Sequence, residues 1–175
     1  MTPCSDIHGA LLKFIGAFMA PTSYPQRKPL RLPGHNYRSE GAYFVTICTK
    51  DRVSWFRKGA IARIFMETWA SLPSRFAGVR LDAIVVMPDH VHFIVWMADR
   101  RPSNPSISFG EAIRQLKAVV SRRARLAGYA GFAWHRNYYE HVVRDDRDLR
   151  RVREYIKDNP SAHERDHGNP DGGIA

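Results

Sequence analysis

The apolar positions of this chain change period along its length, and each change predicts an element. Tyr43-Phe44-Val45-Thr46-Ile47-Cys48-Thr49 is a run of aromatic and β-branched residues behind Gly41-Ala42, and it reads as a first strand. From Ala60 to Leu72 the period lengthens. Ile61, Ile64, Phe65, Trp69 and Leu72 recur at helical spacing until Pro73 ends the pattern. Val79 to Met87 returns to strand character, Pro88-Asp89 turns the chain, and His90 to Met97 is a further apolar run, so the second and third strands form a hairpin. Ser108-Phe109-Gly110-Glu111 has capping-box spacing, and Phe109, Ile113, Leu116 and Val120 line one face of the helix it opens, which ends near Gly128. A fourth strand lies within Phe132 to Val143. Asp145 and Asp148 repeat the capping logic before a third helix, which runs through Leu149, Val152, Tyr155 and Ile156 to Pro160.

The order βαββαβ with an appended C-terminal helix is the split pattern of a ferredoxin-like α+β fold. It predicts one antiparallel sheet with helices on one face, the other face being open to a nucleic acid or a second subunit. Residues 1–29, broken by Pro21, Pro25 and Pro29, read as a flexible leader, and Arg31-Leu32-Pro33-Gly34 as a turn. Asp99 to Pro105 reads as a loop, and residues 164–175 as a polar, disordered tail. That leaves one domain over residues 30–163.

Composition alters this picture mainly through charge. Among 175 residues, 27 Lys and Arg face 17 Asp and Glu, a formal net charge of +10. A phosphate-rich partner is the first expectation for so basic a domain, an anionic membrane surface the second, and a basic protein with no dedicated partner the third. No apolar run reaches the ~18 residues that span a bilayer, so no membrane segment is expected. Ala10 to Ala20 lacks the basic start and cleavage site of a signal peptide. Cys4 and Cys48 form neither a disulfide framework nor a zinc-ligand spacing, which fits a reducing cytoplasm.

The candidate chemistry lies in His90-Val91-His92. Strand side chains alternate, so His90 and His92 share a face while Val91 takes the other. Two neutral imidazoles held by a strand can bind a divalent metal, and equally they can be two half-buried polar residues meeting water. Tyr155 and Asn159 are one helical turn apart, at the edge of the apolar stripe of the third helix. Such residues can border a core or reach a neighbouring sheet. Together the four have a chemistry. A tyrosine hydroxyl can attack a phosphodiester and keep the bond energy as a phosphotyrosine, but a phenol of pKa about 10 is a poor nucleophile at neutral pH. A metal on His90 and His92, with Asn159 as an oxygen ligand, would screen the phosphate. The mixed donor set suits Mn²⁺ better than Mg²⁺, although Mg²⁺ is the more available ion.

His90-Val91-His92 resembles the motif of the HUH single-strand endonucleases. Met87-Pro88-Asp89-His90-Val91-His92, Asn137-Tyr138-Tyr139-Glu140-His141 and Arg153-Glu154-Tyr155-Ile156-Lys157-Asp158-Asn159-Pro160 resemble the REP-associated tyrosine transposases. So does Arg31-Leu32-Pro33-Gly34 followed by Gly41-Ala42-Tyr43-Phe44-Val45-Thr46. The similarity covers roughly residues 30–163. It implies Tyr155 as the nucleophile and Asn159 as the helix-borne ligand that joins His90 and His92 at Mg²⁺ or Mn²⁺. It further implies single-stranded hairpin DNA from repetitive palindromes as substrate, a 5′-phosphotyrosine intermediate, strand rejoining, and a nucleoid-associated place in a bacterial cytoplasm. Tyr138 and Tyr139 rank below Tyr155 as nucleophiles, because neither has a metal-ligating residue one helical turn on. For the DNA, Arg114, Lys117, Arg122, Arg123, Arg125 and Arg136 are candidate phosphate contacts, and Trp134, Tyr138 and Tyr139 candidate stacking residues. An ordinary solvated helix face and a set of core aromatics are the plainer readings. A catalytically silent DNA-binding regulator of the same fold is the alternative function, and an RNA-binding module is a third. Monomer and homodimer both stay open.

Overall fold

The computed structural model describes residues 40–98 and 107–167. The expected leader, the turn at Arg31–Gly34, Cys4 and the Asp99–Pro105 loop lie outside the described residues. Four strands, β1 (Gly41–Cys48), β2 (Val79–Val86), β3 (His90–Met97) and β4 (Tyr139–Val143), form an antiparallel sheet in the order β2-β3-β1-β4. The helices are α1 (Gly59–Ala70), the short α2 (Leu72–Arg75), α3 (Phe109–Leu126) and α4 (Asp146–His167). This is the expected ferredoxin-like α+β arrangement.

Alternation along the strands divides the side chains between two faces. Tyr43, Val45, Ile47, Val91, Phe93 and Val95 point to one of them and are buried against α1 and α3 through Ile61, Phe65, Trp69, Phe109, Ile113 and Leu116. Tyr43 stacks on Phe109 with ring centroids 4.3 Å apart. Ser108 caps α3 as its spacing predicts, its hydroxyl accepting from the Glu111 amide at 3.3 Å.

The other face is not open as the topology alone suggested. α4 lies on it, burying Leu149, Val152 and Ile156 against Ala42, Phe44 and Ile94. The stripe has to be buried somewhere, and the apolar even-numbered positions of β1 and β3 offer the matching surface. Each such side chain contributes ~1.5–3 kcal/mol on burial.

Two boundaries also differ from the pattern. β4 spans only Tyr139–Val143, and Trp134 makes an isolated bridge to Thr49. α4 continues past Pro160 to His167, because a proline removes one amide donor without forbidding the turns that follow. At its start the Asp145 carboxylate accepts from the Asp148 amide at 2.8 Å, the predicted cap.

Candidate active site

Pro88 and Asp89 form a two-residue turn closed by the Met87 amide donating to the His90 carbonyl at 2.8 Å. β3 therefore starts at His90, and the strand alternation carries His90 and His92 to the face that α4 covers. Both are buried, at 7% and 0% exposure, and their Nε2 atoms meet at 3.1 Å. Their other nitrogens are engaged. The His90 Nδ1–H donates to Asp89 Oδ1 at 2.6 Å. The carboxylate only accepts, so in neutral His90 it fixes the tautomer whose Nε2 carries the lone pair. His92 Nδ1 lies 2.7 Å from the hydroxyl of Thr46, its register partner on β1. A hydroxyl can donate or accept, so Thr46 serves His92 in either tautomer.

Asp89 is itself held. Arg52 Nε donates to Asp89 Oδ2 at 2.8 Å, and Arg52 Nη1 to Cys48 Sγ at 3.2 Å. Asp51 and Arg52 both have left-handed backbone, φ 53° and 56°, an uncommon conformation for non-glycine residues, and this bend brings the guanidinium to the turn. Burial works against the Asp89 charge, yet the His90 hydrogen bond and the His90 and Arg52 charges hold its carboxyl below the usual range. Burial, then the charges of His90 and Arg52, push His92 well below an ordinary histidine. It is thus neutral at pH 7, the form that ligates metals.

Across from this pair stands Tyr155 of α4. Its ring centroid is 5.3 Å from that of His92 and 5.8 Å from that of Phe44, both edge-on. Burial raises the phenol's pKa, and a hydrogen bond with the Asn159 side chain opposes the shift. The four residues singled out by the sequence therefore come together on one face of one chain. Two converging imidazole nitrogens and a helix-borne amide suit a divalent cation, since nitrogens at ~2.1 Å from one ion and at right angles would lie ~3.0 Å apart. No cluster of three His, Cys, Asp or Glu that could hold a metal ion occurs among the described residues.

A family model described as transposase IS200 like matches residues 38–159. The chain belongs to the IS200-like transposase family. An uncharacterised Haemophilus influenzae protein is 32% identical over 164 residues, covering 80% of this chain and 91% of that one. A second protein from the same organism, provisionally named a REP-associated tyrosine transposase, is 29% identical over 145 residues, or 73% and 77% of the two chains. A solved REP-associated tyrosine transposase bound to a REP hairpin shares the fold with a TM-score of 0.59 at 21% identity, over 76% of this chain and 74% of that one. The protein is accordingly a DNA transposase, and no helix among its described residues is long and apolar enough to cross a membrane.

The transposase does not place all its candidate DNA contacts beside that site. Arg114, Lys117, Arg122, Arg123 and Arg125 ride on α3, which packs on the opposite face of the sheet. Several have internal partners. Arg114 pairs with Glu111, and Arg123 with Glu67 and Thr68. Lys117 Nζ donates to the carbonyls of His135 and Arg136 at 2.8 and 3.1 Å. Arg122, Arg125 and Arg136 are exposed. Trp134 is partly buried and packs against the core on Phe132, Phe56 and Phe65, with its indole N–H donating to the Lys117 carbonyl at 3.1 Å. Tyr138 packs edge-on against Phe109. Tyr139 pairs with Thr46 in register, on the site's side of the sheet, and burial followed by the charges of Asp148 and Tyr155 raises its pKa.

Sequence reasoning assigned no role to Thr46, Arg52, Asp82, Asp89 or Arg153. An acid directly before the first histidine was the one local signal, since a strand histidine needs a partner for its second nitrogen.

Proposed function

We propose that this transposase cleaves and rejoins single-stranded DNA carrying a hairpin, using Tyr155 as nucleophile and a divalent cation, Mg²⁺ or Mn²⁺, held by His90, His92 and Asn159. The placement of the Tyr155 ring 5.3 Å from His92, whose Nε2 converges with that of His90, carries this reading. The relative solved with a REP hairpin supports a hairpin substrate, as does the +10 charge.

In this reading the Tyr155 oxygen attacks the scissile phosphorus. The phenol gives up its proton as a bond forms between its oxygen and phosphorus, the bond to the 3′ oxygen breaks, and that oxygen takes up a proton and leaves as a 3′-hydroxyl, so no net proton is gained or lost. The DNA 5′ end stays on the enzyme as a phosphotyrosine. Rejoining is the reverse, with a 3′-hydroxyl attacking and the tyrosine leaving. When bound, the cation would act as a Lewis acid on the phosphate oxygens. The protein supplies the rest. Asp89 and Thr46 orient the imidazoles, Asn159 bonds the phenol before DNA arrives, and α4 holds the tyrosine over the pair.

All four residues come from one chain, so a monomer carries a complete set and a homodimer is not needed to build the site. The experiment that tests the reading is formation of a covalent protein–DNA adduct on hairpin oligonucleotides, compared with Tyr155→Phe. Tight binding without an adduct in either metal would instead favour a silent binder acting as a regulator.

A further inference from the structure

α4 is held at both edge strands. At its start, Asp148 Oδ2 meets His141 Nε2 of β4 at 2.8 Å. One turn and a half later, Arg153 reaches β2. Its Nε donates to Asp82 Oδ1 at 3.0 Å and its Nη2 to Asp82 Oδ2 at 2.6 Å, a two-point contact. Between the two tethers lies the apolar stripe of Leu149, Val152 and Ile156. Apolar packing is non-directional and sets the helix's rotation loosely. A planar guanidinium on a carboxylate fixes both distance and angle.

Asp82 is built for this contact. The β2–β3 register passes from Leu81↔Val95 to Ile84↔Phe93, so Asp82 and Ala83 together oppose Ile94. Leu81 packs on the opposite face, so alternation puts Asp82 on the face that α4 covers, and the bulge adds Ala83 to that face. The carboxylate also accepts from the Trp96 indole at 2.8 Å and from the Ala83 amide at 2.8 Å. Its four hydrogen bonds keep it in one orientation. Arg153 precedes Tyr155 by two residues, so the tether acts within one turn of the phenol.

We propose that Asp82 and Arg153 are positioning residues for Tyr155, tying the nucleophile's helix to β2 so that the phenol stands over the histidines of its own chain. The inference rests on Tyr155 being the nucleophile. Arg153 is itself partly exposed, at 47%, so the pair adds little to overall stability and its loss is read in catalysis.

The test uses the full chain, a labelled single-stranded oligonucleotide with an inverted repeat, and Mn²⁺. Wild type, Tyr155→Phe, Asp82→Asn, Arg153→Leu and Arg153→Lys are compared for adduct rate at saturating DNA, DNA affinity, and amide hydrogen exchange over 150–159 in the free protein. Asp82→Asn and Arg153→Leu are expected to slow the adduct rate ~10-fold or more while shifting affinity less than about 3-fold, since small misplacement of a reacting group is costly. Exchange over that segment rises in both, and Arg153→Lys recovers part of each effect. Wild-type rates and exchange in both variants overturn the proposal. So does a loss of rate matched by an equal loss of affinity and of global protection, which marks a purely structural pair. If the wild type itself makes no Tyr155-dependent adduct, the nucleophile assignment fails, and the exchange data still decide whether the tether orders the helix.

Discussion

Tyr155 stands edge-on to His92 with ring centroids 5.3 Å apart, and the two residues belong to one chain. A site completed within one chain cannot be rebuilt by mixing defective copies. A His92→Ala chain mixed with a Tyr155→Phe chain is expected to give no adduct above either variant alone, read on a denaturing gel. Recovery of the adduct on the His92→Ala chain would show that α4 crosses to a partner.

The Asp89 carboxylate holds His90 through its Nδ1, so its removal should weaken the proposed metal site. Asp89→Asn is expected to weaken Mn²⁺ binding by ~10–100-fold, the usual loss when a ligand histidine loses its partner. Electron paramagnetic resonance of free Mn²⁺ measures this directly. A chelator should stop adduct formation in the wild type, and added Mn²⁺ or Mg²⁺ should restore it. Unchanged Mn²⁺ affinity in Asp89→Asn would remove the assigned role of that carboxylate.

The basic residues of α3 divide into two groups with different expected behaviour. Arg122 and Arg125 are exposed, and reversing both to Glu should weaken DNA binding and reduce its salt slope by about two. Trp134 is partly buried on three aromatic rings, and Trp134→Ala should lower stability, by less than the ~3–5 kcal/mol of a fully buried tryptophan, read by denaturant titration. An unchanged salt slope in the arginine variant would move the DNA off this helix.

Asp82 gives the fold an acid-sensitive contact. The hydrogen bond from Arg153 lowers its pKa, with burial opposing and the Trp96 hydrogen bond and Arg153 charge adding to it. A carboxyl with a depressed folded-state pKa stabilises above its unfolded pKa of about 3.9, and that stability is lost as pH falls through the lower folded value. Asp82→Asn should therefore be only slightly less stable than wild type at neutral pH, by no more than about 1 kcal/mol, with the difference shrinking below about pH 4. Thermal unfolding across that pH range measures it, and a constant difference would contradict the assignment.

Local pattern sufficed for the order of the elements and for which candidate residues share a face. Strand alternation placed His90 and His92 together, and helical spacing placed Asn159 one turn beyond Tyr155. The partners of these residues were hidden for physical reasons. Thr46 meets His92 only through the register of β1 on β3, forty-six positions apart. Asp82 meets Arg153 only through tertiary packing, seventy-one positions along the chain. Arg52 reaches Asp89 through two left-handed residues that are not glycine. The helix that covers the second face was visible as an amphipathic stripe, but its destination depends on tertiary packing.

The central claim is that Tyr155 makes a covalent bond to DNA. The most direct measurement incubates the purified chain with labelled single-stranded hairpin DNA and Mn²⁺, then identifies the modified peptide by mass spectrometry. The modified peptide should carry a phosphodiester-linked nucleotide on Tyr155, and the adduct should be absent from Tyr155→Phe. An adduct on Tyr138 or Tyr139, or one that persists in Tyr155→Phe, would contradict it.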